Sequence, residues 1–427
     1  MFSCCRSVPE DWGEPEEFYP IRPDCRDEVL ASRFKPTVVL LSIQPGKTLS
    51  GRRWRSSFSE EGHLDIARVL RRIQRGGVHP TIKGEAWEFL LGCYDPKSTF
   101  DDRTQLRESR RSKYEELKSK CKEMDDSVGS GRVIMTPVIT EDGKPIEGTP
   151  NASEEHAVLD KEVIQWKLSL HQIGLDVNRT DQALVHYENL QNQAKLWDIL
   201  AVYSWVDKEI GYCQGMTDLC SPITILIENE ADAFWCFEHL MRRVRGNFKS
   251  SSTSIGVRSQ LTLLSSIIKT VDPQLHEHIE SLDGGEYLFA FRMLMVVFRR
   301  EFSFADSLYL WELIWAMEYN PLLFSSYESN TPLDAPKDGV MAKKDLMRYG
   351  KFERAYVKVG RTEQQGTLSI FLVASVLEGK NKRLLQEAKG LDDVVQILND
   401  ITATLNAKKA CDEALKLHSR YLNMAKT

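Results

Sequence analysis

The sequence predicts an all-α fold, on three observations. Apolar residues recur at helical spacing: Ile66, Val69, Leu70 and Ile73 stand at i, i+3, i+4 and i+7, which places them on one helical face. Helix-stopping glycines follow such segments, as Gly76-Gly77 does here. Alternating patterns typical of strands are few. The 427 residues, 42% hydrophobic and 28% charged, have the composition of an ordinary globular chain.

The first part of the chain divides into an extension and a run of helices. Residues 1–60 mix proline, glycine and charge around one apolar run, Thr37–Ile43, which predicts a loosely structured N-terminal extension with a short strand. Pro80 then opens a second helical segment that Gly92 ends. Residues 104–122 are highly charged and predict an exposed helix.

Two polar regions interrupt the later helices. Residues 124–155 are rich in Gly, Pro, Ser and Thr, which predicts a long flexible insertion. Helical patterns then run from about residue 160 to 320, and we expect Leu288–Phe298, despite Arg292, to form a buried helix. Residues 325–366 predict a polar loop region, after which Thr367–Leu377 returns to helix.

Composition limits the classes of function. The net charge of −6 gives no global basic field, so we expect no nucleic-acid partner, although local basic patches stay open. The first residues contain no apolar stretch of the signal-peptide type. Nine scattered cysteines without a CxxC pair favour reduced thiols over disulfides or zinc. A cytoplasmic location is therefore expected.

Two segments resemble known ligand-binding motifs but lack a residue or a spacing that the motif requires. Gly46-Lys47-Thr48 ends like a phosphate-binding loop, but Leu41 stands where its first glycine must be. His276 and His278 are two residues apart and would point to different faces of a helix, unlike the ligands of a zinc helix. We therefore predict no bound nucleotide, cofactor or metal of its own.

Two short motifs carry the functional prediction. They are Ile173-Gly-Leu-Asp-Val-Asn-Arg-Thr180 and Gly211-Tyr-Cys-Gln-Gly-Met216. Together they resemble the IxxDxxR and YxQG motifs of the TBC (Tre-2/Bub2/Cdc16) domain of Rab GTPase-activating proteins. The resemblance extends to the segment 77–92 and to Phe298-Arg-Arg-Glu301, and covers roughly residues 61–425. It is closest to plant Gyp-type members with a long insertion in the first half.

This resemblance implies a two-lobed helical domain that activates a GTPase and is not itself an enzyme. Arg179 would be an arginine finger, because a guanidinium stays charged and can bond two phosphate oxygens. Gln214 would be a glutamine finger, whose amide accepts a hydrogen bond from the attacking water and donates one to the phosphate. GTP and Mg²⁺ would be carried by the partner.

Neighbouring residues would position the two fingers. We expect Asp176 to pair with Arg179 or to accept backbone N–H bonds from the Tyr212–Gly215 turn. Gly215 would allow close backbone approach to the partner, Tyr212 would pack, and Thr180 would support the arginine.

The chain between the fingers predicts that they meet. A helix Leu190–Val206 spans about 25 Å, and an extended return over Thr180–Asn189 about 30 Å, so both fingers reach the same end.

The implied partner is a GTP-bound Rab-family GTPase in vesicle traffic, and the implied location is peripheral on endomembranes. Membrane association would come through the Rab or through acylation of Cys4 and Cys5. Two alternatives stay open: a catalytically silent Rab-binding scaffold, and a helical adaptor unrelated to GTPases.

Overall fold

The computed structural model describes residues 18–25, 47–137, 139–144, 160–249, 256–329, 342–359, 366–402 and 406–424. These residues form helices joined by turns, and in them β-pairing is limited to isolated bridges. The all-α prediction is confirmed. Within the same ranges, no helix has the length and apolar character needed to cross a membrane.

The described helices are numbered in chain order. The first ten are α1 Gly51–Arg55, α2 Ile66–Gly76, α3 Lys83–Leu90, α4 Phe100–Met124, α5 Lys161–Val177, α6 Leu190–Val206, α7 Met216–Leu226, α8 Glu230–Phe248, α9 Val257–Val271 and α10 Pro273–Ser281. They are followed by α11 Phe291–Met295, α12 Phe304–Glu318, α13 Leu323–Ser329, α14 Lys343–Leu346, α15 Lys351–Val359, α16 Leu368–Gly379, α17 Asn381–Glu387, α18 Leu391–Thr402 and α19 Ala407–Met424. Short 3₁₀ turns occupy Pro23–Cys25, Pro80–Ile82, Val185–Glu188 and Leu288–Ala290.

Side-chain caps set several helix starts. The Asp65 carboxylate accepts a hydrogen bond from the Arg68 N–H at the start of α2. Thr99 and Asp102 form a capping box at the start of α4, and Asn189 caps α6. Gly77, with a φ of 67°, ends α2 in a conformation that glycine adopts without strain.

The first lobe packs around α6, which contacts α4, α5, α7 and α8. Most α6 side chains are buried. Trp197 of α6 donates to the Leu170 carbonyl at 3.0 Å, and Trp166 of α5 donates to the Ala201 carbonyl at 2.9 Å. Paired indole N–H groups therefore fix α5 against α6, and α5 is the helix that leads into Arg179.

The second lobe packs α9, α16 and α19 together, and α12 connects it to the first helices of the chain. Glu312 of α12 is fully buried and accepts from the Val78 N–H at 2.9 Å, from Trp87 Nε1 at 3.2 Å and from Lys83. The segment 77–92, noted in the sequence for its resemblance, thus binds α2 and α3 to α12.

The predicted helix Leu288–Phe298 is broken. A 3₁₀ turn and the short α11 are followed by Val297 and Phe298, whose φ angles are 50° and 59°. Positive φ ends a helix, and it is unusual for β-branched and bulky residues. Trp311 Nε1 donates to the Val297 carbonyl at 2.8 Å and Phe298 is buried, so tertiary contacts impose the turn.

The predicted polar loop over 325–366 is wrong where the structure describes it. The region contains the end of α13 and all of α14 and α15. Phe352 and Tyr356, one helical turn apart on α15, are buried and pack their rings against His418 at 4.3 and 4.7 Å. Burial of these two aromatic side chains therefore stabilises a helix in a segment whose composition is mostly polar.

The predicted flexible insertion over 124–155 is packed in its first half. Val128 is fully buried, and the Gly129 N–H donates to Asp198 Oδ1 of α6 at 2.9 Å. Residues 145–155, the apolar run Thr37–Ile43 and Cys4-Cys5 lie outside the described residues.

Candidate functional site

Arg179 lies in a tight turn at the end of α5. We call residues 178–181 the arginine turn. The Asn178 N–H donates to the Gly174 carbonyl at 3.0 Å, and the Thr180 hydroxyl donates to the Asp176 carbonyl at 2.7 Å. These bonds close the end of the helix and bury Thr180, while the Arg179 side chain is 59% exposed.

Gln214 lies in the loop 211–215, the glutamine loop, directly before α7. Its side chain is exposed, and Gly215 behind it is buried with a φ of 104°. A Cβ on Gly215 would lie 2.9 Å from Val296 Cγ1. The glycine is therefore required by the backbone conformation and by contact within this chain.

One buried carboxylate holds both segments. Asp176 Oδ1 accepts from Arg179 Nη2 at 2.5 Å, and Asp176 Oδ2 accepts from the Tyr212 hydroxyl at 2.5 Å. The Asp176 side chain is only 2% exposed. The expected pairing with Arg179 is present, but the second donor is the phenol of Tyr212 and not a backbone N–H of its turn.

Burial keeps the phenol of Tyr212 in its neutral, donating form. The pKa of Tyr212 is raised well above its usual value, first by burial and then by its hydrogen bond to Asp176. Among the described residues the Arg179 side chain makes no hydrogen bond besides the one to the Asp176 carboxylate. Most of its five N–H donors therefore face solvent.

A second network holds the arginine turn alone. Asp181, with a φ of 50°, accepts hydrogen bonds from the buried Arg299 and from the Ser221 hydroxyl, the latter at 2.6 Å. Ser221 in turn accepts from the Tyr187 hydroxyl at 2.8 Å. The turn is thus tied to α7 and to the segment that follows Phe298.

The path between the two fingers differs in part from the prediction. Helix α6 has the predicted bounds. The segment before it is not extended: it turns at Asp181 and forms a 3₁₀ turn at Val185–Glu188. The two loops are nevertheless joined through Asp176, because Arg179 and Tyr212 bond the same carboxylate.

Comparison with known proteins identifies the fold around this site. Residues 147–327 match the family model of the Rab-GTPase-TBC domain (RabGAP-TBC). Over that range the chain contains a RabGAP-TBC domain. The resemblance to the TBC domain is confirmed, while the predicted domain bounds of 61–425 reach beyond the matched residues and stay a prediction.

Individual relatives of the chain agree with the match. Rab GTPase-activating protein 22 of Arabidopsis thaliana is 27% identical over 463 residues, covering 86% of this chain and 79% of the relative. Human TBC1 domain family member 17 is 30% identical over 309 residues, covering 68% of this chain. The chain spans only 43% of that human relative.

A solved structure supports the fold. The Ypt/Rab-GAP domain of Gyp1p aligns with a TM-score of 0.56 at 17% identity, covering 87% of this chain and 98% of the other. At this identity the likeness concerns the architecture of the helices alone.

Sequence reasoning missed three supporting residues of the TBC domain: Asp181, Arg299 and Ser221. Asp181 follows the first motif directly and Arg299 lies in the segment Phe298–Glu301, so both stood beside recognised motifs without a role. Next to Arg299, the Arg300 guanidinium bonds Asp218 in the first turn of α7 at 2.7 Å. In the described residues no cluster of three His, Cys, Asp or Glu side chains could hold a metal.

Proposed function

We propose that this chain is a GTPase-activating protein for a GTP-bound Rab-family GTPase and supplies Arg179 and Gln214 in trans. The observation that carries the proposal is the shared carboxylate of Asp176, which bonds Arg179 and Tyr212 of the glutamine loop. The Arabidopsis relative is named as a Rab GTPase-activating protein, which supports the same class of partner.

Arg179 stabilises charge on the transferring phosphoryl group. Its guanidinium is exposed and bonds Asp176 with one of its nitrogens, so other donors are available to the partner's γ-phosphate. The bond to Asp176 also selects one rotamer before the partner arrives, which lowers the entropic cost of assembling the site.

Gln214 orients the attacking water. Its exposed amide can accept a hydrogen bond from the water and donate one to the phosphate, the task that a GTPase's own glutamine performs. Tyr212 and Gly215 position this loop, and Thr180 positions the arginine turn. GTP and Mg²⁺ belong to the partner, so the complete site forms only in the complex, which we place in the cytoplasm on endomembranes.

The test is phosphate release from a panel of GTP-loaded Rab proteins. Arg179→Ala should lower the stimulated rate by about 10³- to 10⁵-fold on the responsive Rab, the value of an arginine supplied in trans. Gln214→Ala should also remove most of the stimulation. Gln172→Ala, an exposed glutamine on α5, is the matched control and should retain full activity.

The outcomes separate the alternatives. A chain that binds GTP-loaded Rabs without accelerating any of them is a scaffold. Binding to none would support an unrelated adaptor. Full activity in both finger variants would contradict the proposed mechanism while leaving the activity itself in place.

A further inference from the structure

Seven arginines lie on two adjacent helices near the start of the described chain. Four of them, on α2, are spaced i, i+3, i+4 and i+7 and therefore form one stripe opposite the buried Ile66, Val69 and Ile73. The other three are on α1. We call this set the arginine patch: Arg52, Arg53, Arg55, Arg68, Arg71, Arg72 and Arg75.

The two helices present their arginines side by side. Arg68 of α2 donates to the Ser56 carbonyl at the end of α1 at 3.0 Å. Arg53 of α1 donates to the Thr48 carbonyl at 2.9 Å, and Thr48 lies against Gly76 at the end of α2. The pKa of Arg72 is lowered by burial and by the like charges of Arg53, Arg75, Arg68 and Arg71, as expected for a cluster of cations.

Six of the seven arginines in this patch have no acidic partner among the described residues. Within the described chain, Arg52, Arg53, Arg55, Arg68, Arg71 and Arg75 form no ion pair with a carboxylate. Two carboxylates close to these helices make other bonds: Asp65 caps α2 and Glu85 accepts from Trp54 Nε1 at 2.7 Å. Residues 47–76 hold eight basic and three acidic residues, a net charge of +5 in a chain whose total is −6.

We propose that the arginine patch binds the anionic surface of a membrane through lipid phosphates. A guanidinium fork bonds phosphate oxygens in pairs and stays charged at any physiological pH. The α2 stripe from Arg68 to Arg75 extends over about 10 Å of helix, so it meets several headgroups at once. Each basic residue near such a surface adds roughly the same attraction, and the contributions add up.

Other polyanions fit the patch less well. Single-stranded nucleic acid is usually bound by exposed aromatic rings between the basic residues, whereas Trp54, the aromatic residue of α1, is buried. The overall acidic charge would also repel a long polyanion beyond the patch. A lipid surface requires only one exposed face.

The patch is separate in sequence from the proposed finger site. It lies outside residues 147–327, which match the family model. It would hold the protein at a membrane without Cys4, Cys5 or the partner itself. The inference does not depend on GTPase activation, since its test measures binding alone.

The experiment is co-sedimentation of the full chain with vesicles at low and at 0.3 M salt. Phosphatidylcholine vesicles are compared with vesicles that contain phosphatidylserine and phosphatidylinositol 4-phosphate. The wild type should bind the anionic vesicles and be released by salt. Arg71→Gln/Arg75→Gln should weaken binding by about 10- to 30-fold.

A matched control separates the patch from net charge. Arg132→Gln/Arg258→Gln removes the same charge from exposed positions outside the patch and should bind like the wild type. Equal binding by the two double variants would overturn the proposal, as would equal binding to neutral and anionic vesicles. Tight binding of soluble inositol trisphosphate, or of single-stranded RNA in the absence of vesicle binding, would also overturn it. Circular dichroism of both variants checks that they are folded.

Discussion

The arginine turn and the glutamine loop share one carboxylate but are held differently around it. The arginine turn has a second attachment, in which Asp181 accepts from Arg299 and from Ser221. The glutamine loop is tied to Asp176 by the Tyr212 hydroxyl and is shaped behind Gln214 by the contact of Gly215 with Val296. The arginine is therefore fixed by charged groups on both sides of it in sequence, and the glutamine by one phenol and one backbone turn.

Because the two loops are held differently, replacing each supporting residue should affect a different finger. Asp176 should affect both fingers, Arg299 the arginine alone, and Tyr212 mainly the glutamine. Double variants can test this, because residues that act together show non-additive effects. When a supporting residue and the finger it positions are both replaced, the loss of transition-state stabilisation should be smaller than the sum of the losses in the two single variants.

Among the supporting residues, the largest effect on the stimulated rate is expected for Asp176→Ala. It removes the acceptor for Arg179 and Tyr212 together and leaves a largely buried phenol without a partner. Stimulated GTP hydrolysis should fall about 100-fold or more, because small misplacements of catalytic groups have costs of this size. The measurement is single-turnover phosphate release with the responsive Rab.

Asp176→Asn and Gln172→Ala serve as controls. The asparagine keeps one carbonyl acceptor and should retain an intermediate rate, and Gln172→Ala should retain the full rate. A full rate in Asp176→Ala would show that the shared carboxylate positions neither finger.

An intermediate effect is expected for Arg299→Met. Met retains an unbranched apolar stem but leaves Asp181, a mostly buried carboxylate, without its cation. The free energy of unfolding should fall by about 3 to 5 kcal/mol, the cost of breaking a buried pair from one side. Urea unfolding measures this loss against Arg258→Met, an exposed arginine that forms no ion pair with any described residue.

Arg299→Met also tests whether the arginine turn and the glutamine loop have separate supports. Arg179→Ala should cost less in the Arg299→Met background than in the wild type, whereas Gln214→Ala should cost the same in both. Equal non-additivity with the two fingers would mean that Arg299 supports the whole site.

The sequence predicted correctly those helices whose bounds depend on neighbouring residues, such as a capping side chain or an apolar repeat. Helix α6 has its predicted bounds: Asn189 caps its start, and most of its side chains are buried. The turn at Val297 and Phe298 could not be predicted in this way. Both residue types disfavour positive φ, and a hydrogen bond from Trp311, 14 residues away, imposes it.

In the candidate site, too, the sequence predicted the residues of local motifs and missed the contacts between distant residues. The two motifs identified Asp176, Arg179 and Gln214, since each stands in a short recognisable spacing. The ion pair between Asp181 and Arg299 joins residues 118 positions apart, and no periodicity relates them. Long-range polar contacts of this kind become visible only once the helices are packed.

The smallest effect is expected for Tyr212→Phe. The ring and its packing remain, and only the donor to Asp176 Oδ2 is lost. One buried acceptor left without its donor costs about 1 to 3 kcal/mol of stability. Stimulated hydrolysis should fall about 10-fold, because the bond of Asp176 to Arg179 persists and only the glutamine loop is loosened.

Tyr421→Phe, on α19, is the matched control and should be indistinguishable from the wild type. Gln214→Ala should then cost less in the Tyr212→Phe background and Arg179→Ala the same as before. If the cost of Arg179→Ala falls equally, Asp176 transmits the change from one loop to the other, and the two fingers act as one mechanical unit in spite of their different supports.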